Sequence, residues 1–168
     1  MCVFATMCAV LLLCCANAFA APPIAGVVSR VIDGDSIVVD AHEIRLHGID
    51  APEYAQTCNN DGREWPCGAV AKKKLEELVA GQELRCSVIG RDRYKRYLAE
   101  CFFVAAGGSV NVNKTMVATG WAFVYRTPSG KVNDTNYLAE ESAARMTGAG
   151  MFDSEVQPPS DYRRGVKR

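Results

Sequence analysis

Two short alternating runs, each with a cysteine near its centre, constrain this chain more than any other feature. Leu84-Arg85-Cys86-Ser87-Val88-Ile89 and Tyr97-Leu98-Ala99-Glu100-Cys101-Phe102-Phe103 both alternate in the manner of strands. A charged stretch from Arg91 to Arg96 separates them. A hairpin centred between Arg93 and Tyr94 pairs residues whose numbers sum to 187, which sets Cys86 opposite Cys101. Residues directly opposed on antiparallel strands lie within disulfide reach. A β structure stapled across two strands is therefore expected. That leaves Cys58 to pair with Cys67, closing a short loop rich in Asn, Asp and Gly. A zinc site built from all four is the competing reading, but the spacings lack the close CxxC pairs of zinc ribbons.

The other four cysteines lie in residues 1–20, which carry no charged side chain. The apolar run Ala9 to Ala16 is too short to span a bilayer, and it leads into Ala18-Phe19-Ala20, a small-x-small pattern. Residues 1–20 are expected to be a signal peptide cleaved after Ala20. The absence of Lys and Arg before the apolar run is unusual, and an uncleaved anchor is the alternative. Neither Cys14 nor Cys15 follows a small residue, which disfavours a lipoprotein. Export accords with an even set of cysteines. The expectation is a secreted or periplasmic protein, off the membrane after cleavage and monomeric.

The 168 residues include 19 Lys+Arg and 19 Asp+Glu, with 49% hydrophobic and 23% charged. That excludes a disordered chain, a histone-like binder and a large multi-domain enzyme. One domain over 21–152 is expected, followed by a basic tail over 153–168. From Asp161 onward the tail has a formal charge of +3 and residues 21–160 carry −3. Such a tail grazes phosphates or, more commonly, is a solvated free end.

Val27 to Ile32 and Ser36 to Val39 are β-branched runs joined by Asp33-Gly34-Asp35, a hairpin signal. Glu43 to His47 alternates, with Ile44 and Leu46 facing the core. Gly48 to Gly68 reads as a long loop. Ala69 to Ala80 predicts a helix with an apolar stripe of Ala71, Leu75, Leu78 and Val79, ended by Gly81. Further helices are expected over about 110–119 and from a cap at Asp134 to Thr147, with an extended Trp121 to Tyr125 between them. The fold class is α+β: a five-stranded OB-fold β-barrel with three helices and two disulfides.

Three segments carry chemistry. Asp33-Gly34-Asp35-Ser36 puts hard oxygen donors at a sharp bend, suited to Ca²⁺ or Mg²⁺, although such a turn is more often only a hairpin. Arg45-Leu46-His47-Gly48-Ile49-Asp50-Ala51-Pro52-Glu53 sets two acids on a stiffened turn after a strand carrying an arginine. One carboxylate there can join Asp35 around a cation, and another can accept a proton from water. Arg91 to Tyr97 clusters cations with aromatics, a platform for phosphates and bases or else a plain exposed hairpin. His42 and His47 read as ordinary strand residues.

Together with Val31-Ile32 before the first turn and Gly120-Trp121-Ala122 later, these segments resemble the thermonuclease family, also called micrococcal or staphylococcal nuclease-like proteins. The resemblance spans about residues 26–152. It implies an OB-fold barrel and Ca²⁺-dependent hydrolysis of DNA and RNA that leaves 3′-phosphate and 5′-hydroxyl ends. It implies metal ligation by Asp35, Asp50 and the Ala51 backbone carbonyl. Glu53 matches the general base, and Arg45 and Arg96 match two catalytic arginines. Arg93 and Tyr94 match nucleotide contacts, as does Tyr125 more loosely. Ser36 stands where Thr is usual, and Lys95 where Gly is usual, which strains the turn if φ there is positive or else adds a phosphate contact. A non-catalytic OB-fold nucleic-acid-binding module is the alternative, although such modules are expected to lose the acids or arginines. A calcium-binding structural protein of the envelope is a third reading.

Overall fold

The computed structural model describes residues 22–132 and 134–166. The expected signal peptide over 1–20 lies outside the described residues. Strand β1 spans Ile24–Asp33, β2 Ser36–Val39 and β3 His42–Leu46, joined by tight turns as the glycine and aspartate signals require. Two short strands follow, β4 (Ile49–Asp50) and β5 (Cys58–Asn60). Next come β6 (Arg63–Trp65) and helix α1 (Cys67–Val79). The long hairpin is β7 (Glu83–Arg91) with β8 (Tyr97–Ala105), extended by β9 (Gly108–Asn111). Then come α2 (Val112–Ala118), β10 (Phe123–Val124), α3 (Leu138–Thr147), a 3-10 turn (Gly150–Asp153) and α4 (Pro159–Arg163).

The main sheet runs β3-β2-β1-β7-β8-β9, and β3 also pairs in parallel with β8. Five strands therefore close into a ring, with β9 added outside it, and closure removes the exposed sheet edges. Alternation fills the interior: Ile37, Val39, Ile44, Leu46, Leu84 and Ala99 are buried, and α1 caps the ring with Ala71, Leu75 and Val79. Within β3, Ile44 and Leu46 point inward, so Arg45 between them points to the opposite, functional face.

Both expected disulfides form, Cys58–Cys67 and Cys86–Cys101. The hairpin keeps the expected pairing through Cys86↔Cys101, Ser87↔Glu100 and Val88↔Ala99, then slips by one at Ile89 to give Gly90↔Leu98 and Arg91↔Tyr97. The turn type causes the slip. Asp92 and Arg96 pair through an Asp92 N–H to Arg96 carbonyl bond, which leaves a three-residue loop with Lys95 at φ +69°. A three-residue loop ends in a left-handed residue, and the bulge absorbs the odd count.

Lysine at that φ costs about 1–2 kcal/mol relative to glycine, partly offset by glycine's freedom in the unfolded chain. Lys95→Gly is therefore expected to raise stability by about 1 kcal/mol in urea unfolding. An unchanged or lower midpoint would show that the turn is unstrained.

Three further expectations change. The loop over 48–68 contains a small ribbon in which Cys58 pairs with Trp65, because the disulfide ties it to the start of α1. Asp134 does not cap α3, which begins at Leu138 behind Tyr137. Its carboxylate instead accepts from the Asn136 N–H and faces His47 Nδ1 at 3.3 Å. The tail differs most. Glu155 exchanges backbone hydrogen bonds with Asn59, Pro159 is buried, and α4 carries Arg163 back onto the barrel. The Arg163 charge finds a destination in buried Asp50 and half-buried Glu53, absent from any local pattern, which holds this still exposed turn against the barrel.

Candidate active site

The turn between β1 and β2 presents Asp35, and the chain after β3 presents Asp50, Ala51 and Glu53. Gly34 lets these segments meet, and Gly68 on α1 lets that helix pack against the second of them. A Cβ on Gly34 would lie 2.6 Å from the Ala51 Cβ, and one on Gly68 would lie 1.7 Å from the Glu53 carbonyl oxygen. The close approach lets the Ala51 N–H donate to Asp35 Oδ2 at 3.0 Å, joining the two acidic segments directly.

Arg45 lies beside both. Its Nη1 donates to Asp35 Oδ1 at 2.7 Å and its Nη2 to Asp50 Oδ1 at 2.8 Å, with both aspartate side chains almost fully enclosed. Register explains the placement: Arg45 pairs with Ser36 on β2 and with Leu98 on β8. Ser36 Oγ donates to Asp35 Oδ1 at 2.9 Å and accepts from Arg96 Nη1 at 3.3 Å. Arg96 is itself braced by Asp92, which receives its Nε and Nη2 at 2.8 and 2.7 Å. The Asp92 carboxylate also accepts the Tyr94 and Arg96 backbone N–H groups, so the hairpin tip aims Arg96 inward.

The remaining member was not among the expected site residues. Arg163 on α4 donates from Nη2 to Asp50 Oδ2 at 2.9 Å. Its Nη1 donates to Asp50 Oδ1 at 3.1 Å and to Glu53 Oε1 at 2.7 Å. An unbroken chain of contacts thus runs from Arg96 through Ser36, Asp35, Arg45 and Asp50 to Arg163 and Glu53.

Above it opens a cleft of about 830 Å³, lined among others by Arg45, Glu53, Arg93, Tyr94, Arg96 and Tyr125. Tyr94 is exposed, with the Arg93 and Arg96 guanidiniums 4.7 and 5.6 Å from its ring. Of the expected site residues, Arg45, Glu53, Arg93, Tyr94, Arg96 and Tyr125 line the cleft, while Asp35 and Asp50 adjoin it through Arg45 and Ala51 adjoins Asp35.

Electrostatics set the acids apart. Burial, reinforced by the charge of Asp35, pushes the Asp33 carboxyl up to about 7. Burial also raises Asp50, against the pull of Arg163 and Arg45. Burial disfavours the charge on Arg163, yet its bonds to Asp50 and Glu53 outweigh that and hold it protonated. No group of three or more His, Cys, Asp or Glu side chains suited to a metal forms among the described residues. A hard divalent ion here would thus draw on two carboxylates, a backbone oxygen and water, a sufficient set for Ca²⁺. The donor chemistry fits, because two enclosed aspartates already attract two guanidiniums.

Comparison with known proteins bears directly on this geometry. The family model described as staphylococcal nuclease homologue matches residues 43–154. The chain belongs to the staphylococcal nuclease family. It is 33% identical over 152 residues to a micrococcal nuclease of Shigella flexneri, covering 84% of this chain and 82% of that one. It is 32% identical to an uncharacterized endonuclease of Haemophilus influenzae, covering 83% and 73%. It is also 36% identical to the succinoglycan biosynthesis protein ExoI of Rhizobium meliloti, covering 89% and 75%. As a staphylococcal nuclease homologue, the chain is a phosphodiester-hydrolysing enzyme with an OB-like barrel. Among the described residues no helix is long and apolar enough to cross a membrane.

Proposed function

We propose that this protein is an exported, calcium-dependent nuclease that cuts DNA and RNA and leaves 3′-phosphate and 5′-hydroxyl ends. The observation that carries the reading is the network that joins Asp35, Arg45, Asp50, Glu53 and Arg96, through Ser36 and Arg163, beside one basic, aromatic cleft lined by Arg45, Glu53 and Arg96. Asp35, Asp50 and the Ala51 carbonyl would hold the calcium ion, which when bound polarises a phosphoryl oxygen and favours ionisation of water.

Arg93, Tyr94 and Tyr125 bind the nucleotide, with aromatic faces for bases and cations for the backbone. Glu53 accepts the proton of the attacking water. The new bond joins water oxygen to phosphorus, the bond from phosphorus to O5′ breaks, and the departing O5′ takes a proton from solvent water while Glu53 returns its own proton to solvent. Arg45 and Arg96 donate paired hydrogen bonds to the phosphoryl oxygens, where charge builds in the transition state. The forked guanidinium suits that task, and an ammonium does not reproduce it. The two disulfides accord with an oxidising compartment.

Purified protein should digest plasmid DNA and RNA with added calcium, stop with a chelator, and yield 3′-phosphate ends. Binding of single strands without cleavage in calcium would instead favour a binding module.

A further inference from the structure

The acid cluster already holds a cation supplied by the chain itself. Arg163 reaches back 113 positions in sequence to place both Nη atoms on Asp50 and one on Glu53. These are the groups assigned above to the metal and to the proton. We propose that residues 159–166 form a self-docked strap whose Arg163 competes with the divalent ion for Asp50 and Glu53, holding the nuclease closed until the ion or substrate displaces it. This rests on the calcium reading above.

Three observations support it. First, both oxygens of Asp50 are engaged by Arg163, and Oδ1 is engaged by Arg45 as well, so an ion cannot reach Asp50 without dislodging a guanidinium. Arg45 is fixed in a strand, whereas Arg163 sits on a single helical turn.

Second, the strap is rooted up to the head of that turn at Pro159, and beyond it the Arg163 ion pairs are the short contacts to the barrel, with the Val166 carbonyl accepting from Gln157 Nε2 within the tail itself. The root consists of the backbone pair between Asn59 and Glu155, the bond from Gln56 Nε2 to the Gln157 carbonyl at 2.7 Å, and the buried Pro159. Past the root, Tyr162 reaches the Ala55 carbonyl at 3.4 Å and Arg164 the Pro128 carbonyl at 3.4 Å, both long contacts. The Arg163 side chain keeps 38% of its surface exposed. The turn can therefore lift while its root stays, and the root keeps the guanidinium near the acids at high local concentration.

Third, Ser160, Arg163 and Arg164 line the cleft that the substrate must enter. Docking thus covers part of the cleft as well as neutralising Asp50 and Glu53.

Competition of this kind is reciprocal. A cation that needs the open form binds more weakly by the fraction of molecules that are open, and its binding in turn opens the strap. The test is calorimetric titration of calcium alone, without nucleic acid, into the full chain and into Arg163→Ala. The control is Arg85→Ala, exposed on β7 and not among the cleft-lining residues. Hydrogen exchange over residues 159–166 of the unaltered protein is followed with and without calcium.

Arg163→Ala should bind calcium at least about tenfold more tightly than the parent. Arg85→Ala should match the parent, and calcium should speed exchange in the strap. Equal affinity in parent and Arg163→Ala, or strap exchange unmoved by saturating calcium, overturns the competition and leaves the calcium reading standing. No calcium binding by either protein removes the calcium assignment, and the competition with it.

Discussion

Lysine in place of Arg45 is expected to slow phosphodiester cleavage by on the order of 10²–10³-fold at saturating calcium. Arg45 spans Asp35 and Asp50 with two separate Nη donors, at 2.7 and 2.8 Å, while lining the cleft. A lysine retains the charge but offers one point of contact, so it cannot hold both acids and face a phosphoryl group together.

The same change should lower stability when no divalent ion is present. Two enclosed carboxylates lose half of their shared partner, and complete loss of such a partner costs about 3–5 kcal/mol. The two effects separate experimentally. Thermal unfolding in chelator should show the stability loss and calcium should restore much of it, while kcat at saturating calcium stays low. Recovery of kcat along with the melting temperature would mean that Arg45 only braces the acids and takes no part in the chemistry.

Glu53→Gln is the second large effect, an expected loss of about 10²–10⁴-fold in kcat. The amide keeps the size of the side chain and can still accept from Arg163, but it cannot take a proton from water. Glu53 is only partly enclosed, and among the described residues its side chain accepts one hydrogen bond, from a strap with exposed surface. The fold should therefore tolerate the change, with an unfolding midpoint near the parent's. A rate within threefold of the parent's would remove the base role from Glu53. A lower rate that recovers as pH rises would point to water ordering instead of proton acceptance.

The parts of this molecule legible in its sequence are those governed by short-range pattern. Alternation in β3 placed Ile44 and Leu46 inside and Arg45 outside, and cross-strand register placed Cys86 against Cys101. The slip at Ile89 was hidden because the residue that marks a three-residue turn is normally glycine, and here Lys95 takes the left-handed conformation. Asp134 reads as a helix cap, but its carboxylate is engaged with the Asn136 N–H and His47, and α3 begins four residues later.

The acids and arginines that meet beside the cleft could be picked out because they sit in compact motifs around three turns. Arg163 could not be. Pro158-Pro159-Ser160-Asp161 does signal a helical start with proline at its head. Yet nothing local says that such a turn folds back onto Asp50, since that contact depends on the anchoring of Glu155 and Gln157 against the 56–59 loop. The basic tail was legible as charge, and its destination only as geometry.

The most direct test of the account is the position of the divalent ion in a crystal grown with calcium and a dinucleotide bearing a slowly cleaved phosphorothioate linkage. The account predicts calcium between Asp35, Asp50 and the Ala51 carbonyl, with Arg45 and Arg96 on the phosphoryl oxygens and Glu53 within hydrogen-bond reach of the water in line with O5′. Calcium bound elsewhere, or a phosphate seated beyond the reach of both arginines, would contradict it.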